Sequence, residues 1–123
     1  MSDLIVLTDA TFEAAVRDGG LPLVVDFWAE WCPPCGPMAR TLSELAPEFA
    51  GRLRIAKLNA DENPETTRAY RVLSMPTLLF FSGRDGRAAG GPGGALTGSL
   101  VGLRPKSVLR QALTNALTPY ANV

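Results

Sequence analysis

The chain has 123 residues, with twelve basic and twelve acidic side chains, two cysteines and no histidine. This length fits a single domain spanning residues 1–123 that buries roughly two thirds of the surface of its unfolded form. The charges balance and are scattered, so no basic stripe exists for nucleic acid or anionic lipid, and we expect neither partner. Without histidine, chemistry must depend on thiols, carboxylates or lysine.

The amino-terminal residues lack the features of a secretory signal. Residues 1–4 provide no basic region, no long apolar stretch and no small-residue cleavage site, and no later segment is apolar over the length of a bilayer. We therefore expect a cytoplasmic protein without a membrane partner.

The first part of the chain predicts a strand, a helix and a second strand. Residues 4–7 read as a short strand, and Thr8 or Asp9 is a candidate N-cap for a helix that ends at Gly19 and Gly20. Residues 21–29 form a continuous apolar run, which is typical of a central strand buried on both faces.

A long helix is predicted after this strand. Apolar residues recur there at three- and four-residue steps: Met38, Leu42, Leu45, Ala46 and Phe49. We expect the helix to begin at Cys32, which places both cysteines in its first turn. Pro37 would then delete the bond to the Pro33 carbonyl, so either the first turn is distorted or the helix begins later.

The second half of the chain continues the alternation of strands and helices. Residues 53–58 predict a core strand, residues 65–70 a short helix, and residues 77–81 a strand entered through Pro76. Residues 82–98 are rich in glycine and predict a mobile loop. The alternation indicates the α/β class.

The chain is predicted to end with a short edge strand and a helix. The strand covers residues 100–103, and Pro105 fits the first turn of the helix. Six apolar residues should face the sheet: Val108, Leu109, Ala112, Leu113, Ala116 and Leu117.

Both cysteines lie in one segment, Trp31-Cys32-Pro33-Pro34-Cys35. Half a zinc site has the same spacing, but zinc needs four ligands, so no metal site is expected within one chain. A redox dithiol needs one thiolate that attacks a disulfide and a second thiol that resolves the product. The alternatives are a passive disulfide or two thiols that only pack.

Asp26 interrupts the apolar run of the central strand. Burial disfavours the charged carboxylate and should raise its pKa, which suits proton exchange near neutrality. The other interpretation is a carboxylate bonded to the backbone or to Lys57. Considered alone, Lys57 reads as a solvated side chain whose stem covers the core.

Taken together, three segments closely resemble the thioredoxin family: VDFWAEWCPPC at residues 25–35, AKLNAD at 56–61 and MPTL at 75–78. The resemblance implies a mixed sheet of about five strands flanked by about four helices, with the dithiol where a strand meets a helix. It implies a monomeric protein disulfide reductase without a bound cofactor. Its partners would be disulfide-containing proteins and a flavin-dependent thioredoxin reductase.

The resemblance also implies roles for individual residues. Cys32 would attack, Cys35 would resolve, and Asp26 would take the proton from Cys35 while Lys57 moderates its pKa.

The resemblance further implies a surface that binds substrates. Sequence alone predicts a trans Met75–Pro76 bond, whereas the resemblance implies a cis bond beside the active sulfur. The backbone of Met75 would pair with an extended substrate, and Trp31 and Gly102 would complete an apolar recognition surface.

Three positions of the active turn are expected to tune the reduction potential: Pro33, Pro34 and Gly36. Pro33 stands where the family usually has glycine, and Gly36 stands where a basic residue is usual. Two rival functions remain open. One is an exported reductase of the cytochrome-maturation type, which shares the Trp-Cys-Pro-Pro-Cys segment. The other is a binding or assembly subunit with an idle dithiol.

Overall fold

The structure is a computed structural model that describes residues 4–18, 20–83 and 94–117. Its elements in chain order are β1 (Ile5–Val6), α1 (Phe12–Asp18), β2 (Leu23–Trp28), α2 (Cys35–Leu45), a 3-10 helix (Ala46–Phe49), β3 (Arg54–Asn59), α3 (Pro64–Ala69), β4 (Thr77–Phe81), β5 (Leu96–Val101) and α4 (Lys106–Ala116).

The described strands form one mixed sheet in the order β1-β3-β2-β4-β5. β3 runs parallel to β1 and β2, while β4 runs antiparallel to β2 and β5. β2 lies at the centre and is buried on both faces, as its apolar sequence predicts. The sheet and its helices confirm the predicted α/β class.

Helices cover both faces of the sheet. On one face α2 and α4 pack through Met38, Leu42, Leu109 and Leu113 onto Val24. On the other face α1 contributes Phe12 and Val16, and residues from the strands pack against them: Leu23, Val25, Phe27, Leu58 and Phe81. Since alternate residues of a strand point to opposite faces, Asp26 lies on the face that α2 covers.

Two predicted boundaries in the long helical segment change. The helix begins at Cys35, not at Cys32, and it ends at Leu45. The next four residues form a 3-10 helix whose first residues include Pro47. Phe49 still packs into the core beside α2, so the apolar stripe is correct although the helix is shorter.

Asp9, one of the two residues predicted as the N-cap of α1, does not cap that helix. The Asp9 carboxylate accepts hydrogen bonds from the backbone of Glu65 at 3.2 Å and of Thr66 at 2.8 Å, so it caps α3 instead. The Asp9 N–H donates to the side chain of Asn63 at 2.8 Å. The partners are more than fifty residues away in sequence, which local pattern reading does not detect.

The glycine-rich segment is partly a strand. β5 begins at Leu96 rather than at residue 100, and it ends at Val101. Before it, the Ser82 N–H donates to the Ala95 carbonyl and the Gly94 N–H to the Ser82 carbonyl, both at 2.9 Å. Residues 84–93 of the predicted loop lie outside the described residues.

The final helix begins at Lys106, one residue after Pro105. Leu109 and Leu113 are buried as predicted, but Val108 is 43% exposed and does not face the sheet. No helix in the described ranges is long and apolar enough to cross a membrane. The one-domain organisation stays a prediction.

Candidate active site

The cysteines lie in the turn between β2 and α2. Cys32 and Cys35 form a disulfide with their Cα atoms 5.4 Å apart. The Cys32 N–H donates to the Ala29 carbonyl at 3.2 Å, and the Cys35 N–H donates to the Cys32 carbonyl at 3.1 Å. Both cysteines are buried and pack against Ala29. Cys32 therefore precedes the helix. The Cys35 N–H donates its hydrogen bond to the Cys32 carbonyl and not to the Cys32 sulfur.

The prolines of this turn fit a helix that begins at Cys35. Pro34 is the N-cap, and its carbonyl accepts the first bond of α2 from the Met38 N–H at 3.2 Å. Pro37 is then the third helical residue, where an N–H would have no helical acceptor. The expected distortion of the first turn is wrong, and the alternative of a later start is confirmed.

Two of the three residues expected to tune the reduction potential lie at the surface of the turn. Pro33 and Gly36 are exposed, whereas Pro34 is half-buried. A Cβ atom added to Gly36 would meet nothing within 4 Å, so the helix leaves open space beside the disulfide at this position.

Asp26 is fully buried in β2. Loss of solvent raises its pKa from 3.8 to about 7, and the positive charge of Lys57 opposes this rise. Neither carboxylate oxygen has a hydrogen-bond partner among the described residues. The alternative of a carboxylate bonded to the backbone or to Lys57 is therefore not observed.

Lys57 lies directly beside Asp26 across the parallel pair of β2 and β3. Its side chain is half-buried, and Nζ lies 5.9 Å from the centre of the Trp28 ring. The ammonium group therefore interacts with the ring face and acts on Asp26 only through space.

The Met75–Pro76 peptide bond is cis. The trans bond expected from sequence alone is therefore wrong, and the cis bond implied by the resemblance is confirmed. Met75 is half-buried and packs against the cysteines. Among the described residues its backbone N–H and C=O make no hydrogen bonds, so they can accept an added strand.

Gly102 is hydrogen-bonded to Pro76, the residue that follows Met75. Its N–H donates to the Pro76 carbonyl at 2.8 Å, and its φ of 92° lies in the left-handed region that favours glycine.

Trp31 is 65% exposed, yet its orientation is held by a partner that the sequence did not reveal. Its Nε1 donates to Asp61 at 2.8 Å. Asp61 is oriented in turn by Asn59, whose side-chain oxygen accepts the Asp61 N–H at 3.0 Å. Both belong to the AKLNAD segment, in which Asn59 ends β3 and Asp61 follows it, so the available signal was a pair of polar residues at the end of a parallel strand.

The redox group is the cysteine pair itself. In the part of the chain that the structure describes, no group of three or more cysteine or acidic side chains could hold a metal ion.

A disulfide between a central strand and a helix, a buried carboxylate on the same sheet face and a neighbouring cis-proline define a thiol–disulfide oxidoreductase. The profile of the Thioredoxin family matches residues 3–115. The chain is 43% identical to a thioredoxin of Alicyclobacillus acidocaldarius subsp. acidocaldarius over 111 residues, which are 90% of this chain and 95% of that protein.

Two further relatives agree. Thioredoxin 1 of Nostoc sp. is 38% identical over 117 residues, covering 95% of this chain and 100% of the relative. A thioredoxin of Haemophilus influenzae is 40% identical over 109 residues, covering 89% and 92%. The chain belongs to the thioredoxin family, and it is a thioredoxin-like dithiol–disulfide reductase. Family membership implies two kinds of partner, disulfide-containing proteins and a thioredoxin reductase.

Proposed function

We propose that Cys32 is the attacking thiol, Cys35 the resolving thiol and Asp26 the group that accepts the proton of Cys35. The observation that carries the proposal is the buried Asp26 carboxylate, which lies on the sheet face covered by α2 and has a pKa raised to about 7. Cys35 is the first residue of α2. A base of this pKa can take up and release a proton near neutral pH.

The reaction has two exchange steps. The Cys32 thiolate attacks one sulfur of a substrate disulfide, forms a mixed disulfide and releases the first substrate thiolate. Cys35 then gives its proton to Asp26, and its thiolate attacks the Cys32 sulfur. The second substrate thiolate leaves, so the substrate gains two electrons and the cysteine pair is oxidised to the disulfide.

Protein substrates bind beside the sulfurs through Met75. The free backbone groups of Met75 pair with an extended segment of the substrate, while the exposed ring of Trp31 contacts its side chains. The bond from Gly102 to Pro76 keeps this backbone in place. Lys57 limits the rise in the pKa of Asp26, and Pro33, Pro34 and Gly36 set the reduction potential of the turn.

The cellular setting follows from the same chemistry. The pair must be returned to the dithiol after each turnover, and a flavin-dependent thioredoxin reductase supplies the two electrons. The protein acts as a monomeric single domain in the reducing cytoplasm, where a dithiol persists.

Cysteine variants test the order of attack. Wild-type protein should reduce insulin disulfides with dithiothreitol, and Cys32→Ser and Cys35→Ser should both lose turnover. Only Cys35→Ser should accumulate a mixed disulfide with insulin, because Cys32 still attacks and nothing resolves the product. A trapped adduct in Cys32→Ser, and none in Cys35→Ser, would reverse the assignment.

The pH profile tests the proton acceptor. In wild-type protein, the rate of mixed-disulfide resolution should change with an apparent pKa near that of Asp26, about 7. Asp26→Asn should slow resolution and remove this transition. Glu65→Gln, an exposed carboxylate on α3, is the control and should retain it. An unchanged profile in Asp26→Asn would assign the proton to another group.

A further inference from the structure

Of the two methionines that the structure describes, only Met75 keeps exposed surface. It is half-buried, whereas Met38 is completely buried in the core under α2. An oxidant in solution reacts with a thioether that it can reach, so exposure decides which methionine is oxidised. Of these two, Met75 is therefore the one that is open to oxidation.

The Met75 side chain fills a gap between apolar residues. It packs against Ala29, Cys32 and Cys35, and it also packs against the core cluster that contains Phe12. Methionine suits such an irregular gap because its side chain is unbranched and flexible. Its sulfoxide is polar, and an oxygen held in these apolar contacts would lose its hydrogen bonds to water. The oxidised side chain should therefore leave them.

The backbone is held in place on both sides of Met75. The Ser74 carbonyl accepts a hydrogen bond from the Thr77 hydroxyl at 2.7 Å, and the Pro76 carbonyl accepts one from the Gly102 N–H at 2.8 Å. These bonds oppose a shift of the whole segment that would make room for an additional oxygen. A displaced Met75 side chain therefore disturbs the backbone groups to which the proposed function assigns substrate binding.

We propose that Met75 is a modification site, at which hydroperoxides form methionine sulfoxide and thereby weaken the binding of protein substrates. The cysteine pair remains able to exchange thiols and disulfides, so the modification acts on docking rather than on the chemistry. The proposal rests on the proposed function in one respect, the pairing of substrates with the Met75 backbone.

The oxidation balances with a hydroperoxide as the only co-reactant. The Met75 sulfur attacks one oxygen of hydrogen peroxide, the O–O bond breaks, and this oxygen stays on the sulfur while the other leaves as water. The sulfur loses two electrons and the peroxide gains them. Cys32 and Cys35 take no part, because in the disulfide neither is a free thiol.

Mass spectrometry tests the site. The disulfide form is treated with hydrogen peroxide, the excess is removed with catalase, and tryptic peptides are compared. Met75 lies in the peptide of residues 72–84 and Met38 in that of residues 18–40, whose fragment spectra distinguish methionine from tryptophan oxidation. Met75 should gain one oxygen atom before Met38 does. Oxidation of Met38 at an equal or higher rate would overturn the assignment of the site.

The effect on binding is measured after dithiothreitol has reduced the disulfide of the oxidised protein. The KM for insulin should rise about tenfold, which is within the range for a polar group left unpaired in an apolar contact. The kcat should be retained, because Met75 transfers neither electrons nor protons in the exchange. Reduction of bis(2-hydroxyethyl) disulfide should also be retained, because this probe has no peptide backbone to pair with Met75. An unchanged KM, or an equal fall in rate with both substrates, would overturn the proposal.

Met75→Leu is the matched variant, because leucine has a similar volume and no thioether. Its KM for insulin should be the same before and after peroxide treatment, although Met1 and Met38 remain. Met38→Leu should show the full peroxide effect of the wild type. A treated Met75→Leu protein whose KM rises as in wild type would place the effect at another residue and overturn the proposal.

Enzymatic repair tests whether the sulfoxide itself is the cause. Two methionine sulfoxide reductases, one for each epimer of the sulfoxide, should together return the KM of the oxidised protein to its untreated value. A KM that stays raised after the Met75 peptide has lost its oxygen would overturn the proposal.

The outcomes also separate this proposal from the proposed function. Untreated protein that does not reduce insulin overturns the proposed function and this proposal with it. Protein that reduces insulin equally well before and after complete oxidation of Met75 overturns the modification proposal alone.

Discussion

Asp26 and Lys57 lie side by side on neighbouring parallel strands with their side chains on the same face of the sheet, yet no hydrogen bond joins them. Asp26 is fully buried, while Lys57 is half-buried and places its ammonium group over the Trp28 ring. The positive charge therefore only partly offsets the effect of burial, and the pKa of Asp26 remains raised to about 7.

Stability should depend on the protonation of Asp26. The pKa of Asp26 is higher in the folded protein than in the unfolded chain. The contribution of its carboxyl group to the free energy of unfolding is therefore fully present below about pH 4 and is lost as the pH rises to about 7. Asp26→Asn cannot ionise. Relative to wild type, its free energy of unfolding should therefore rise across this window, by up to about 4 kcal/mol at 1.36 kcal/mol per pKa unit. Urea denaturation from about pH 4 to about pH 8 measures the difference.

Lys57→Met is the matched test of the electrostatic partner. Without the ammonium group, the pKa of Asp26 should rise further, because burial then acts unopposed. The fall in stability should consequently extend to higher pH than in wild type. A difference between Asp26→Asn and wild type that is constant with pH would contradict the raised pKa.

The bond between Trp31 and Asp61 should orient the exposed ring for substrates. Asp61→Ala removes the acceptor of the indole N–H, which should shift the Trp31 Nε1–H resonance and increase the KM for insulin by about two- to fivefold. The kcat should be retained, because Asp61 does not contact the sulfurs. Asp61→Asn keeps an acceptor oxygen and should resemble wild type. An unchanged indole resonance in Asp61→Ala would contradict the bond.

Arg71 occupies a position that favours glycine. α3 ends with bonds from the Arg71 N–H to the Arg68 carbonyl and from the Val72 N–H to the Thr67 carbonyl, both at 3.0 Å, and Arg71 has a φ of 55°. This is the Schellman arrangement, in which a left-handed residue closes the helix. Arg71→Gly should therefore raise the free energy of unfolding by about 1 kcal/mol, measured by urea denaturation.

Arg71→Ala is the control for the side chain. It keeps the left-handed strain and should give no such gain, so any benefit common to both variants would come from loss of the charge instead.

Gly51 and Gly102 both need glycine for their positive φ, but only Gly102 also lies at the proposed substrate surface. Gly51 and Gly102 have φ values of 81° and 92°, and in both cases an added Cβ atom would meet nothing within 4 Å. Gly51→Ala and Gly102→Ala should each lower the free energy of unfolding by about 1–2 kcal/mol through backbone strain. Only Gly102→Ala should also raise the KM for insulin, because it disturbs the bond to Pro76.

Thermal unfolding and insulin reduction on the same preparations check this pair. A KM increase of equal size in Gly51→Ala would mean that lost stability, rather than the surface around Pro76, weakens substrate binding.

Long apolar patterns in the sequence predicted which segments form strands and helices. They did not predict where some of these segments begin, because local turns and strand pairing decide that. β2 was predicted within two residues, because a buried central strand must be apolar throughout. The start of α2 was misplaced, since the Cys32 carbonyl bonds to the Cys35 N–H and Pro34 takes the N-cap position. β5 was predicted too late, because its polar and glycine residues form a strand only by pairing with β4.

The sequence by itself determined which groups can carry the chemistry: two cysteines separated by two residues, no histidine and a carboxylate in an apolar strand. These residues alone left a passive disulfide or idle thiols open, and it was the resemblance of three segments to the thioredoxin family that favoured thiol–disulfide exchange. Only the tertiary structure decided what surrounds the sulfurs. The packing of Met75 against the cysteines and the unpaired burial of Asp26 beside Lys57 both join segments that are distant in the chain. Their physical cause is sheet register and helix packing, which local patterns do not encode.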